Sequence, residues 1–294
     1  MKTPVFTGSA TAIITPFTEN AVDYDAMGAL IDWQIQAGTN ALVICGTTGE
    51  ASTQSMSEHQ ETIAYAVKRA AGRVPVIAGT GSNSTDEALE LSQAAEQSGA
   101  DALLVVTPYY NKCSQAGLVK HFAYIADRVK IPMILYNVPS RTGMTFSEIT
   151  YFELSKHARV NGVKEASGDM PLIARARCLC GDELNVWSGN DNETLSIMAL
   201  GGKGVITTSG NVIPGEMSRI CKLFSEGKLE QSAALFYQYL PLMDALFTDV
   251  NPIPVKTALN LMGRKAGTLR MPLCEMDAAK TEKLKSVLKN VGLL

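Results

Sequence analysis

The sequence predicts a closed (β/α)8 barrel carrying a helical appendage at its C-terminal end. Three observations point there: eight short apolar runs, amphipathic segments between them, and polar clusters where several of those runs stop. Barrels of this kind take about 250 residues around one core, so 294 residues do not require a second. A hydrophobic share of 46% against 19% charged residues supplies ample apolar material.

The first apolar run, Ser9–Pro16, precedes the amphipathic stretch Asp23–Ala37. Ala41–Gly46 leads to Ser57–Ala71, Pro75–Gly79 to Thr85–Ser98, and Ala102–Thr107 to Ala116–Val129. Pro132–Val138, Asn161–Ala166 and Leu184–Ser188 follow, then a helical Asn192–Leu200 and the last run, Gly204–Thr208. Many runs are rich in Val and Ile, as parallel strands buried on both faces should be. Gly201-Gly202 reads as a helix stop before the eighth strand. From about Gly215 onward the periodicity is helical, punctuated by Gly227 and Pro241 and broken by Pro252 and Pro254. The expected division is a catalytic barrel over residues 1–228 and a helical region over 229–294.

A net charge of -3 argues against nucleic acid, which needs a basic face. No apolar stretch approaches the roughly 20 residues that span a bilayer, and Met1–Phe6 does not read as a signal peptide. The scattered Cys45, Cys113, Cys178, Cys180, Cys221 and Cys274 read as reduced thiols of a cytoplasmic protein. His59, His121 and His157 are far apart in sequence, and no metal site is expected from them.

In such barrels chemistry sits where strands end. Gly46-Thr47-Thr48-Gly49-Glu50 follows the second strand and Thr107-Pro108-Tyr109-Tyr110-Asn111 the fourth. Tyr136 to Gly143 ends the fifth, Val163 to Gly168 the sixth, and Ser188-Gly189-Asn190-Asp191 the seventh. Lys164 lies inside an apolar strand, with Gly162 and Ala166 on its face by alternation, small neighbours expected to leave room around the amine. A strand-end lysine usually snorkels to solvent. Buried among polar loops, it instead reads as an amine freed by desolvation to attack a carbonyl. Tyr136 is a candidate proton carrier, although a lone strand tyrosine is more often packing. The Thr47-Thr48 turn offers hydroxyls and N–H groups to a small carboxylate, and Arg141 offers a fork to another. Gly79-Thr80-Gly81-Ser82-Asn83-Ser84 lacks the third glycine of a dinucleotide loop. Glu50 and Glu165 read as structural.

Together the GTTGE turn, YNVPSRTG and GVKEASG resemble the pyruvate-dependent class I aldolase family, most closely its dihydrodipicolinate (4-hydroxy-tetrahydrodipicolinate) synthase branch. The resemblance runs from Gly8 through Asn251–Lys256 to Arg270–Leu273. It implies an imine between Lys164 and pyruvate, with Tyr136, Thr47 and Tyr110 as a proton relay, Tyr110 being supplied across a subunit interface. It implies that Thr48 and the turn amides hold the pyruvate carboxylate, and that Arg141 holds that of L-aspartate 4-semialdehyde. Gly189 and Ile206 would line the site. No cofactor is implied, because the lysine supplies the electron sink. The expected assembly is a homotetramer, a dimer of dimers. Sister lyases of sugar acids, the N-acetylneuraminate and 2-keto-3-deoxy-sugar-acid types, share the lysine and tyrosine. Arg141 and the doubled threonine favour the semialdehyde over them. A non-catalytic binding barrel should have lost a relay residue, and none is missing. The resemblance further implies an L-lysine inhibitor site at Ala51, Ser52, Met56, His59, Asn83, Glu87 and Tyr109. Ala51 and Met56 depart there from the common serine and histidine.

Overall fold

The computed structural model describes residues 1–294. Eight parallel strands pair in sequence order and close on themselves: β1 (Gly8–Ala12), β2 (Ala41–Ile44), β3 (Val76–Gly79), β4 (Ala102–Val106), β5 (Met133–Asn137), β6 (Val160–Glu165), β7 (Asn185–Ser188) and β8 (Gly204–Thr207). Closure sets Gly8 beside Gly204 and Thr11 beside Thr207. The strand-to-strand helices are α1 (Tyr24–Gln36), α2 (Met56–Ala70), α3 (Thr85–Gln97), α4 (Gln115–Ala126), the short α5 (Pro139–Thr142) with α6 (Glu148–Ser155), α7 (Met170–Cys180) and α8 (Thr194–Ala199). After β8 come α9 (Pro214–Ser225), α10 (Leu229–Ala245), α11 (Ile253–Leu261) and α12 (Ala278–Asn290). No helix is long and apolar enough to cross a membrane.

Local sequence sets where the helices begin. Ser55 opens α2 with a reciprocal capping box to Glu58, and the side chains of Ser84, Ser114, Ser147 and Asp169 cap α3, α4, α6 and α7. Each such cap is worth about 1 kcal/mol. Alternation along the strands divides the core in two. Ala10, Ala12, Ala41, Val43, Ile77, Leu104, Ile134, Tyr136, Trp187 and Ile206 form an inner cluster, and their strand neighbours face the helices in a much larger one. Phe6 stacks on Trp187 at 5.1 Å, and the indole N–H donates to the Phe6 carbonyl, so this part of the inner core is side-chain packing.

One proline of the C-terminal region behaves differently from the sequence expectation. Pro241 lies inside α10 rather than ending a segment. Its missing N–H leaves the carbonyl four residues earlier, at the exposed Tyr237, to water, while Phe236, Tyr239, Leu242 and Met243 bury the opposite face and carry the helix through. Pro252 and Pro254 open α11, where a missing N–H costs nothing.

Candidate active site

Lys164 and Tyr136 are register partners on β6 and β5, and both are buried. The lysine Nζ stands 4.4 Å from the centroid of the tyrosine ring. The glycine on the same face, Gly162, does not provide space for the amine. A Cβ there would meet the Asn185 carbonyl at 2.2 Å and the Trp187 ring at 2.7 Å, so the indole already fills that volume. The room is made at Gly189. A Cβ at that position would lie 3.1 Å from Lys164 Cε and 2.7 Å from Ala166 Cβ. Any larger residue would press on the lysine stem.

The turn after β2 is bracketed by two non-glycine residues in the left-handed region, Cys45 at φ 55° and Glu50 at φ 53°. Such a conformation costs of order 1–3 kcal/mol each and needs outside support. Thr15 Oγ1 donates to the Gly49 carbonyl at 2.7 Å, and Gln54 Nε2 donates to it at 2.9 Å. Glu50 forms a buried ion pair with Lys256, Nζ to Oε1 2.5 Å, and its other oxygen accepts the Arg270 N–H at 3.1 Å. Burial pulls the Lys256 amine down from its ordinary range, and the Glu50 charge opposes that pull. Inside this frame the Gly49 and Glu50 N–H groups close the turn, but those of Thr47 and Thr48 find no protein acceptor. Thr48 Oγ1 instead receives Asn251 Nδ2 at 2.9 Å and stands 3.5 Å from Thr208 Oγ1.

Arg141 lies in α5, exposed, with Nη2 donating to the Asn251 carbonyl at 3.3 Å. Ile206 packs in the inner cluster with Tyr136. Glu165 points away from Lys164 by alternation. It accepts Tyr151 Oη at 2.6 Å, Asn137 Nδ2 at 3.0 Å and the Ser167 N–H at 2.9 Å. Asp191 accepts the Ser209 N–H and hydroxyl at 2.7 and 2.6 Å, tying the loop after β7 to that after β8. Burial pushes both carboxyls above the usual range; hydrogen bonds oppose it in each, and at Asp191 so does the Lys164 charge. Glu50 and Glu165 thus hold strand ends through separate partners.

A sequence model of the Dihydrodipicolinate synthetase family matches residues 5–291. The chain belongs to that family. It is 52% identical to the 4-hydroxy-tetrahydrodipicolinate synthase of Thermoanaerobacter sp. (strain X514), over 99% of this chain and 98% of that one. The crystal structure of dihydrodipicolinate synthase from Aquifex aeolicus superposes with a TM-score of 0.96 at 45% identity, covering 98% of this chain and 99% of that one. The Cyanidioschyzon merolae enzyme with lysine bound gives 0.96 at 36% identity, covering 99% and 100%.

Tyr110 is apart from the cluster: 92% exposed, at φ 68°, and not on the walls of the cavity that Tyr136 and Thr47 share. That cavity, of about 270 Å³, is also lined by Ala51, Ser52, Met56, His59, Glu87 and Tyr109. Asn83 is not on its wall; its carbonyl accepts the Asn111 amide at 2.9 Å. His59 Nε2 is 2.7 Å from the Gly79 carbonyl, and burial lowers the ring's proton affinity. Asn251, Lys256 and Asp191 were not singled out as site residues from the sequence. Asn251 and Lys256 fall in a segment shared with the family but carry no local mark of their partners, which lie far back in the chain.

Proposed function

We infer that the protein condenses pyruvate with L-aspartate 4-semialdehyde through an imine on Lys164, giving 4-hydroxy-tetrahydrodipicolinate for diaminopimelate and lysine synthesis. The observation that carries this reading is a buried lysine amine over the ring of Tyr136, which shares a cavity with Thr47, in a turn where the N–H groups of Thr47 and Thr48 have no protein acceptor. An amine needs an electrophilic carbonyl, and paired amides beside a hydroxyl suit a carboxylate. A 2-keto acid carries both groups on adjacent carbons.

The Lys164 amine adds to the ketone and water leaves, forming a protonated imine. That cation draws electrons from the neighbouring methyl group, which gives up a proton to become an enamine carbon. This carbon attacks the aldehyde. The amine of the second substrate then attacks the imine carbon, closes the ring and expels Lys164. Tyr136 and Thr47 would carry the protons, with Tyr110 contributed to the site of a neighbouring subunit. Thr48 and the turn amides would hold the pyruvate carboxylate, and Arg141 that of the semialdehyde. Gly189 and Ile206 would shape the walls. The lysine nitrogen is itself the electron sink, so the reaction needs no cofactor. The exposed, left-handed Tyr110 supports an assembly of at least two subunits, and we favour a dimer of dimers. The wall containing Glu87 supports L-lysine as an inhibitor. A cytoplasmic setting suits a biosynthetic enzyme of small metabolites.

A steady-state assay with pyruvate and the semialdehyde tests the reading against cleavage of N-acetylneuraminate and 2-keto-3-deoxy sugar acids. Turnover of the semialdehyde alone is expected; preferential cleavage of a sugar acid would overturn it.

A further inference from the structure

Asn251 touches both groups assigned to carboxylates, by two different routes. Its side-chain Nδ2 donates to Thr48 Oγ1 at 2.9 Å, while its main-chain carbonyl accepts Arg141 Nη2 at 3.3 Å. The residue is 6% exposed, and its Oδ1 has no partner. Burying an amide with its acceptor half unsatisfied is costly. An aliphatic side chain would avoid that cost, so the donor half must be what the position requires.

That requirement follows from the hydroxyl it serves. A threonine oxygen that accepts one hydrogen bond still has its own hydrogen to give. The only other side chain bonded to it, Thr208, is 3.5 Å away, beyond the usual range for O–H···O. The Thr48 hydrogen is therefore not consumed inside the protein.

We propose that Asn251 is a positioning residue: its amide occupies the Thr48 oxygen and so aims the hydroxyl hydrogen at the keto-acid carboxylate. This rests on the reading of Thr48 as a pyruvate-carboxylate group. Because Arg141 is held by the main-chain carbonyl, changing the Asn251 side chain leaves that contact in place. Pyruvate should feel the change and the semialdehyde should not. Aspartate has the shape of asparagine but can only accept when ionised. It would draw the Thr48 hydrogen to itself and set a negative charge beside an anion site. A packing role predicts the opposite ranking, since Asp preserves volume and Ala leaves a hole.

The test is steady-state kinetics of Asn251→Ala, Asn251→Asp, Thr48→Val and the double variant Thr48→Val/Asn251→Ala, each checked for fold by thermal melting. Asn251→Ala should raise the KM for pyruvate about tenfold, the scale of one lost hydrogen bond to a charged group, with the semialdehyde KM within about twofold. Asn251→Asp should be worse for pyruvate than Ala. The double variant should match Thr48→Val alone, because both act through one hydroxyl. Asp milder than Ala, equal rises for both substrates, or additive effects would each overturn the positioning role. Asp against wild type decides the question even where Ala does not fold. If Thr48→Val leaves pyruvate unaffected, the underlying assignment of Thr48 fails and the proposal with it. A normal loss in Thr48→Val with unchanged Asn251 variants overturns the proposal alone.

Discussion

The Nζ of Lys164 lies over the ring of Tyr136, 4.4 Å from its centroid, on the adjacent strand. An aromatic face attracts a cation, so it steadies the ammonium and equally a protonated imine at the same nitrogen. Tyr136→Phe keeps that face and removes only the hydroxyl. The variant is expected to fold normally and to lose about 10²-fold or more in turnover, the scale of an acid–base contribution. Near-normal turnover in a coupled assay would show that the ring alone is needed.

Reduction of the imine should fix pyruvate on Lys164. Borohydride added with pyruvate turns a hydrolysable C=N bond into a stable amine, so activity should be lost permanently and the mass of the peptide bearing Lys164 should increase. Borohydride without pyruvate should leave activity intact. Peptide mapping that finds equal labelling at Lys112 or Lys203 would remove Lys164 from its role.

Replacing Arg141 should raise the KM for the semialdehyde more than that for pyruvate. The loss of a charge-assisted hydrogen bond to a carboxylate is worth about 1.5–3 kcal/mol. Arg141→Lys should recover little, because an ammonium cannot reproduce a two-pronged contact. A parallel rise for both substrates would show that the guanidinium organises the whole site.

Tyr110 should act in a neighbour's site. Inactive Tyr110→Phe and Lys164→Ala chains, dissociated and reassociated together, should recover part of the activity that neither has alone. No recovery in verified mixed oligomers would return Tyr110 to its own subunit.

L-lysine should inhibit partially, and Glu87→Ala should abolish the effect while leaving uninhibited turnover near normal. A buried ammonium needs an anion, and Glu87 is the carboxylate on that cavity wall. Its Oε2 already accepts the Ser82 hydroxyl at 2.5 Å, which orients it. Met56 offers no polar contact, so weak binding is expected. Calorimetry showing no heat at millimolar lysine would reject regulation at this cavity.

The barrel was legible in the sequence because strands buried on both faces leave unbroken apolar runs, and the loops carrying the chemistry punctuate them. Run ends were less legible. Ile13 and Ile14 are apolar and buried, yet β1 ends at Ala12: the Ile13 N–H still donates to the Val43 carbonyl on β2, but that of Ile14 turns to the Asn211 side chain, a partner that an apolar run does not record. Lys164 and Tyr136, which meet across neighbouring strands, stood out. Asn251 and Lys256 did not, because a polar residue at a helix entrance has many uses. Its partner is set by how the tail folds back, which no local period records. Gly162 misled for a related reason: alternation gave its face correctly but could not show that Trp187 occupies the space beside it.

The tie between Glu50 and the tail also bears on the order in which the protein matures during synthesis. The carboxylate that props the turn after β2 takes its support from Lys256 and from Arg270, the latter 220 residues further along the chain. A nascent chain can pair its early strands, but the closing of so long a loop is rewarded only when the distant partner has left the ribosome. Until Lys256 arrives Glu50 is a carboxylate without its counter-charge, and the turn beside it is held only by Thr15 and Gln54. Chemical competence is therefore expected late, because a fragment released before Lys256 contains the lysine nucleophile but not the cation that balances Glu50.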